Sequence, residues 1–379
     1  MDELLGLKDP DFGIEVDKAE LLPLLERALV CVPGKDSDPY LLNFSLESSK
    51  DTLVVSSSDS KVSLEINTED FTCLVEGIVL IPAKELFEIV KSCDAGSISI
   101  TAETDNRVAV VHSGGTVWSL KLTIQKGFPE FPEFSVGKYE KVSSVELFQA
   151  IARTKFAASQ ESLRPHYLLV DISSGTFSAT DGLRFQQVRT DLETSFCLPV
   201  GVISDVFKLW KLNKEDEVYI GTFENNFVFV FGKNKLAVQK PAFNFPSTEQ
   251  IFQQAILAND ESMIVSREAL LKSISKVRHT VDVETAEIKL VLKKNTLEVR
   301  SVDRAGNRTT SMLECSWEGA SRELVVNYKH LHDALYYLPE TQACFYLGTD
   351  SRAKKSMILL KSTDKKYLSV ISQIISNRK

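Results

Sequence analysis

The sequence lacks the features that mark most membrane proteins, metalloproteins and secreted proteins. It has only six cysteines, none of them in a CxxC pair, and only five histidines. Scattered single cysteines are typical of reduced, buried thiols rather than of a disulfide framework or a zinc site. No apolar run reaches the length of a membrane span, and the acidic N-terminus does not resemble a signal peptide. We therefore expect a cytoplasmic protein that binds no membrane.

Residue patterns that carry catalysis are also missing. There is no glycine-rich phosphate loop, no nucleophile elbow and no HExxH motif. His330 and His332 are two positions apart, so on a helix they point in different directions and form a poor metal pair. Asp181 and Gly182 could suggest a catalytic aspartate, but an Asp-Gly pair more often marks a turn after a strand. The sequence predicts no catalytic residue, no metal and no cofactor.

What the sequence does contain is a threefold internal repeat. Two amphipathic phrases each occur three times, and the offsets of the first phrase are 126 and 123 residues in a chain of 379. The phrases start at Val16, Val142 and Val265, and at Ile81, Leu198 and Val326. Self-similarity at a fixed period indicates repeated structural units. We predict three domains, at residues 1–127, 128–250 and 251–379.

Each repeat is predicted to hold two helices and several antiparallel strands. A helix with one apolar stripe must bury that stripe against a sheet, so the predicted fold class is α+β. The predicted helices span residues 17–30, 82–93, 143–157, 200–212, 266–279 and 327–338. Residues 1–13 are predicted to lack regular structure, and residues 166–172 to form a strand. Two proline-bound segments, 127–134 and 241–250, are predicted to be linkers.

Charge is distributed unevenly between the predicted elements. The predicted helices sum to a positive charge, although the whole chain has a net charge of −8. In the third repeat, Lys272 and Lys276 lie on one helical face, whereas Leu270 and Ile274 lie on another. On a single helix such lysines usually just face solvent. If all the helices face one way, however, they form a positive surface suited to phosphate groups without base readout.

Several of these segments resemble one known family, the bacterial DNA polymerase III beta subunit or sliding clamp. The most specific is FAASQESLRP…ATDGLRF (156–185). GFPEFP (127–132) is similar to the family's first linker, and IPAKELFEIV (81–90) and VNYKHLHDAL (326–335) are similar to its second-helix motifs. The order, spacing and repetition of these motifs extend the resemblance over nearly the whole chain.

The resemblance implies a non-catalytic processivity factor. Two three-domain chains would form a head-to-tail homodimer, a ring with helices lining the hole. The ring would encircle double-stranded DNA without sequence specificity, in the cytoplasm at the nucleoid and replisome. The residues that the resemblance and the basic helices place at the DNA are Arg27, Arg153, Lys155, Arg164, Lys208, Lys211, Lys272, Lys276 and Arg278.

The resemblance also implies a cleft between the second and third domains that binds short peptide motifs of DNA polymerase and the clamp loader. Leu183 replaces the family's usual histidine, and Val370-Ile371-Ser372 replaces its usual Met-Pro-Met ending. The peptide preference is therefore expected to differ, and such divergence would suit a phage-encoded or distant member. The matching positions are Tyr167, Thr180, Gly182, Leu183, Arg184, Phe185, Pro246, Ile251, Leu368, Val370 and Ser372.

For the dimer interface, Trp118 and Leu120 match apolar positions on the edge of the first domain. Their counterparts are His279 and Thr280, where the family usually has two aliphatic residues. Two alternatives remain open from the sequence. One is an enzyme on a repeated α+β scaffold, with Asp181 or His166 catalytic. The other is a structural protein that assembles through its sheet edges without DNA.

Overall fold

The computed structural model describes residues 9–34, 37–122, 126–131, 139–161, 163–213, 215–247, 261–347 and 357–374. Within these ranges, every strand pairing is antiparallel, as in the pair of β2 (Asn43–Ser48) and β3 (Leu53–Ser58). Helices and antiparallel sheets are mixed along the chain. The predicted α+β class is confirmed.

The six predicted helices are all present, and no end differs by more than two residues from the prediction. None of the described helices is long and apolar enough to cross a membrane. Their apolar stripes are buried as expected; in the fifth helix, for example, Leu270, Ile274 and Val277 are at most 1% exposed. The helices are α1 (Lys18–Ala28), α2 (Ala83–Ser92), α3 (Ser144–Lys155), α4 (Val200–Asn213), α5 (Arg267–Val277) and α6 (Tyr328–Tyr337).

Contacts divide the chain into two compact units. Unit 1 contains Met1–Val145 and Gly201–Lys240, and unit 2 contains Glu146–Val200 and Pro241–Lys379. Each unit therefore combines parts of two sequence repeats. The three-domain division at residues 127 and 250 stays a prediction.

Unit 1 contains two sheets. The five-stranded sheet runs in the order β5 (Thr72–Val75), β1 (Phe12–Asp17), β7 (Ser97–Glu103), β8 (Val108–Ser113) and β9 (Thr116–Lys121). The eight-stranded sheet runs in the order β10 (Glu140–Ser143), β15 (Glu217–Phe223), β16 (Asn226–Phe231), β17 (Asn234–Gln239), β4 (Val62–Thr68), β3, β2 and β6 (Gly77–Pro82).

Unit 2 contains one twelve-stranded sheet. Its first half runs in the order β14 (Phe196–Pro199), β11 (Leu169–Ser173), β12 (Thr176–Thr180), β13 (Arg184–Arg189), β25 (Tyr367–Ser372) and β24 (Met357–Lys361). It continues with β23 (Gln342–Leu347), β18 (Glu261–Ser266), β21 (Arg308–Ser316), β20 (Thr296–Val302), β19 (Glu287–Lys293) and β22 (Arg322–Asn327).

The sequence prediction missed a short strand directly before every helix. Each is only four to six residues long. The last residue of several of these strands also caps the helix that follows. The Asp17 carboxylate accepts a hydrogen bond from the Ala19 N–H at 2.8 Å, and the Asn327 amide oxygen accepts one from the Lys329 N–H at 2.9 Å. Such caps satisfy donors that the first helical turn leaves unpaired.

Two local predictions were wrong. Residues 1–13 were expected to be irregular; residues 1–8 lie outside the described residues, but β1 begins at Phe12, which is fully buried. Residues 166–172 were expected to be one strand, but Pro165–Tyr167 form a 3-10 turn and β11 begins only at Leu169. The N–H groups of Tyr167 and Leu168 donate to the carbonyls of Arg164 and Pro165 within this turn, so they are not available to a sheet.

Sheets continue from one sequence repeat into the next by the same kind of strand pairing. In unit 1, β17 of the second repeat pairs with β4 of the first, with Leu236 opposite Leu64. In unit 2, β25 of the third repeat pairs with β13 of the second, with Val370 opposite Phe185. By position in the repeat, the strands left over are β9 and β21. The outer edge of β9, and that of β21 from residue 308 to 314, pair with no strand among the described residues.

Candidate functional site

An apolar cluster crosses three neighbouring strands of unit 2. Phe185 on β13 lies directly opposite Val370 on β25, which lies directly opposite Leu359 on β24. Directly opposite residues of antiparallel strands project from the same face of a sheet. All three side chains are at most 2% exposed and pack together. We refer to these three residues as the apolar cluster.

Partly buried apolar side chains surround the apolar cluster on the side away from α6. They are Phe245, Tyr346, Met357 and Leu368. The orientation follows from Tyr367, the neighbour of Leu368 on β25, whose hydroxyl donates to the carbonyl of Ala334 in α6 at 2.6 Å. Successive side chains of a strand point to opposite faces, so Leu368 and Val370 face away from that helix. The four partly buried side chains therefore form an apolar surface on the face of the sheet that is turned away from α6.

A tight turn lies at the start of β13, beside the apolar cluster. The Asp181 carboxylate accepts hydrogen bonds from the N–H groups of Leu183 and Arg184 at 2.8 and 2.9 Å. Gly182 has φ +87°, and a Cβ atom there would lie 3.0 Å from the ring of Tyr167. Leu183 at the tip of the turn is 61% exposed. Asp181 thus shapes a turn, which favours the non-catalytic interpretation of the Asp-Gly pair.

Arg184 joins this turn to α6. Its Nε lies 2.9 Å from Asp181 Oδ2, and its Nη1 lies 2.8 Å from Asp333 Oδ2. The guanidinium also lies 5.5 Å from the centre of the Phe156 ring, which stacks on Tyr337 at 5.2 Å. Charge-assisted hydrogen bonds in a fixed fork give both strength and orientation. The Arg184 side chain is therefore held in one orientation, and it links the turn to α6.

His330 of α6 lies next to this ion network. Its Nε2 is 3.9 Å from Asp181 Oδ2. Burial is the main cause that lowers the pKa of His330 below its ordinary value, and the positive charge of Arg184 lowers it further, against the opposing effect of Asp181 and Asp333. We therefore treat the imidazole as neutral near pH 7. A neutral ring leaves Asp181 to pair with Arg184.

Most of the residues predicted for the peptide cleft come together here. The Thr180 hydroxyl donates to the Arg184 carbonyl at 2.6 Å, and the Ser372 N–H donates to the Leu183 carbonyl at 3.0 Å. Pro246 is half-buried beside Phe245. Ile251 lies outside the described residues. The other predicted cleft residues belong to the turn, to the Tyr167 contact and to the surface around the apolar cluster.

Sequence reasoning missed several residues of this site. Asp333 and Phe156 hold Arg184, and Leu359, Tyr346 and Phe245 extend the apolar surface. The alternation of apolar residues in β24 and β25 could have indicated Leu359. The ion pair between Arg184 and Asp333 left no local signal, because the two residues are 149 positions apart.

The residues predicted to face DNA are divided between the two units. Arg27, Lys208 and Lys211 belong to unit 1, and the others belong to unit 2. Most are exposed, but Arg27, Arg153 and Lys155 are only partly so. Lys272 pairs with Glu268 at 2.6 Å, and Lys208 lies 3.4 Å from Asp205. Arg164 lies over the Tyr167 ring at 5.9 Å, whereas Lys276 and Arg278 make no ion pair with a described residue.

The residues predicted for the dimer interface lie at the two open strand edges. Trp118 and Leu120 are half-buried on β9. Thr280 follows α5, and its hydroxyl lies 2.8 Å from that of Thr309 on β21 and 2.6 Å from that of Ser301. Its polar group is therefore satisfied within the chain. His279 is exposed.

No alternative chemistry stands out in the part of the chain that the structure describes. Among those residues, no group of three or more His, Cys, Asp or Glu side chains could hold a metal ion. All six cysteines are unpaired, and three of them are buried. Burial raises the pKa of Cys197 to about 12, so its reactive thiolate form is disfavoured.

The described chain has repeated sheets backed by helices, and these sheets are joined strand to strand across the repeat boundaries. This architecture defines a DNA-clamp fold. A family model described as the DNA polymerase III beta subunit, N-terminal domain, matches residues 12–132. The beta sliding clamp of Chlamydia muridarum is 23% identical over 326 residues, covering 80% of this chain and 86% of the relative.

Solved structures show the same fold. The DNA polymerase III subunit beta from Pseudomonas aeruginosa has a TM-score of 0.85 at 21% identity, covering 96% of this chain and 100% of its own. A sliding clamp from Bartonella birtlesii bound to griselimycin has a TM-score of 0.85 at 20% identity, with the same coverage. Together the comparisons indicate the DNA polymerase III beta sliding clamp family. They do not support the enzyme or the structural alternative.

Proposed function

We propose that this chain is a non-catalytic DNA sliding clamp. Two copies close head to tail around duplex DNA at the nucleoid, and the ring tethers DNA polymerase and the clamp loader through a cleft over the apolar cluster. The observation that carries the proposal is the pair of open edges on β9 and β21. The same strand positions are joined inside each unit, so a second copy completes the pattern.

The internal junctions predict which residues meet across the dimer. In unit 1, Lys235 comes one residue after the pair nearest the turn in the hairpin of β16 and β17. It lies opposite Glu65, which comes two residues after the pair nearest the turn in the hairpin of β3 and β4. The same positions are Val117 on β9 and Thr310 on β21. The next pair along is Trp118 with Thr309. This register places Trp118 of one copy near Thr280 of the other.

The proposed tethering cleft uses an apolar floor and a rigid wall. The apolar cluster and its neighbours form the floor, and the turn held by Arg184 forms the wall. Peptides bind such surfaces by inserting a few apolar anchors into pre-formed pockets. Leu183 adds an exposed apolar side chain at the rim. This is consistent with an altered peptide preference.

The proposed DNA surface needs no base-reading side chains. Cations on the helices would attract the DNA phosphates whatever the base sequence. This attraction permits the clamp to slide along DNA, and it depends strongly on salt. Lys276 and Arg278 are exposed without an ion pair among the described residues. Both cations are therefore available to contact a phosphate.

The dimer is tested by mass and by a designed crosslink. Light scattering should give a mass near twice the 42.3 kDa of one chain. Val117→Cys combined with Thr310→Cys should form a covalent dimer under mild oxidation, because directly opposite Cβ atoms lie within about 4.5–5.5 Å. Each single variant is the control and should stay monomeric on a denaturing gel. A single-chain mass at all concentrations, with no crosslink, would refute the closed ring.

A further inference from the structure

A groove of about 860 Å³ lies on unit 1. Its floor is the eight-stranded sheet, and the segment 126–131 forms one side. The Ser57 hydroxyl donates to the Ala28 carbonyl of α1 at 2.6 Å, so the neighbouring Ser56 faces away from that helix. Ser56 lines the groove. The groove is therefore on the sheet face that α1 does not cover.

The groove lies at the same junction of the repeat as the proposed tethering cleft. It borders the pairing of β4 with β17, and the cleft borders that of β13 with β25. The segment before the second repeat runs along the groove, and Phe131 in it corresponds to Phe245 beside the cleft. At the position of Phe185 and Val370, this junction has the smaller pair Ser63 and Ala237. The same architecture thus leaves a differently shaped surface here.

The groove combines apolar anchor sites with negative charge. Ile78 is 58% exposed, and Phe131 and Phe223 also line the groove. Three exposed glutamates, Glu47, Glu130 and Glu224, are among the residues that line it. The acidic lining groups outnumber Lys126, the one cation among the lining residues. The carboxylate of Glu65 also lines the groove but is already paired with Lys235 at 2.8 Å. Complementarity therefore favours a cationic ligand with apolar side chains.

We infer that this groove is a second docking site, which binds a linear, basic peptide segment of a partner protein through apolar anchors and arginine or lysine side chains. The inference goes beyond the proposed function, and rests on it only in taking the equivalent cleft as a peptide site. An extended segment of about six residues spans roughly 20 Å. The carboxylates select against acidic peptides.

The probe is a fluorescein-labelled nonapeptide of three Arg-Leu-Phe repeats, and anisotropy reports its binding to the full chain. Glu47→Lys with Glu130→Lys should weaken binding at least about tenfold, because two attractive charges become repulsive. Glu85→Lys with Glu88→Lys makes the same change of net charge on α2 and should alter binding less than about twofold. The matching peptide with glutamate in place of arginine should bind at least about tenfold more weakly.

The apolar anchors are tested separately. Ile78→Asp should weaken binding of the cationic peptide. Ile264→Asp, which changes an isoleucine 41% exposed on unit 2, should leave that binding unchanged. Phe185→Ala should weaken capture of DNA polymerase, the partner proposed for the cleft, and leave binding of the cationic peptide unaffected. This difference separates the inference from the proposed tethering function. The inference is overturned if the wild-type chain fails to bind the cationic peptide, or if Phe185→Ala abolishes that binding while the groove variants retain it.

Discussion

Arg184 Nη1 lies 2.8 Å from Asp333 Oδ2, which ties the start of β13 to α6. The same guanidinium binds Asp181 through Nε. One side chain therefore orients both the turn at the proposed cleft and the helix behind it. Changes at α6 can reach the cleft through this contact without touching a ligand.

Arg184→Ala should lower the free energy of unfolding by about 2–3 kcal/mol, because it leaves two carboxylates without their charged partner. The Arg184 side chain is only 14% exposed, so water cannot fully replace the contact. Arg189→Ala changes an exposed arginine at the other end of β13 and should cost less than about 0.5 kcal/mol. Calorimetry measures both. If the two variants lose the same free energy of unfolding, the ion network around Arg184 does not stabilise the fold.

Acid should weaken unit 2 through His330. Because its folded-state pKa lies below the ordinary value, the unfolded chain takes up a proton first as the pH falls. The free energy of unfolding should therefore decrease below about pH 6.5. His330→Gln should flatten this dependence between pH 7.5 and 5.5, whereas His279→Gln, at an exposed site, should leave it unchanged. If the pH dependence of the free energy of unfolding is the same in His330→Gln as in the wild type, His330 is not its source.

Gly182→Ala should disturb the cleft as well as the backbone. The new methyl group would lie 3.0 Å from the Tyr167 ring, at a φ of +87°. Gly306→Ala is a matched control, since its φ is +88° but no atom lies within 4 Å of the added Cβ. Both should lose about 1 kcal/mol of stability. Only Gly182→Ala should also weaken capture of DNA polymerase, the partner proposed for the cleft, in a pull-down assay. If the control weakens binding equally, the Tyr167 contact is irrelevant to the cleft.

Lys276→Glu with Arg278→Glu should shorten retention of the clamp on circular DNA after loading. Both cations are exposed, and reversing them opposes the phosphate charge. Lys50→Glu with Lys61→Glu makes the same charge change at exposed turns of unit 1 and should leave retention unchanged. Retention is measured by gel filtration of labelled protein with nicked plasmid. Loss in both variants would point to net charge rather than to α5.

The sequence predicted the helices well because each carries its own apolar period. It predicted the open edges only through family resemblance, since strand pairing joins residues far apart, as in Lys235 with Glu65. The short strands before the helices escaped notice because four residues, as in β10, give too few alternations. The 3-10 turn at Pro165 was missed for a different reason. The residues that follow Pro165 are mostly apolar and resemble the start of a strand. The N–H groups of Tyr167 and Leu168, however, donate to carbonyls within the turn and so cannot pair with a neighbouring strand.

The open edges of β9 and β21 carry a cost when a chain is alone. Unpaired strand edges are templates for any other extended chain, and natural proteins usually protect them with charges or bulges. On β9, only Lys121 supplies a charge, beside Val117, Trp118 and Leu120. In the proposed ring, this edge has to stay free to pair with a second copy, so it cannot carry such protection. Pairing in the proposed ring covers both edges and so removes the risk of aggregation.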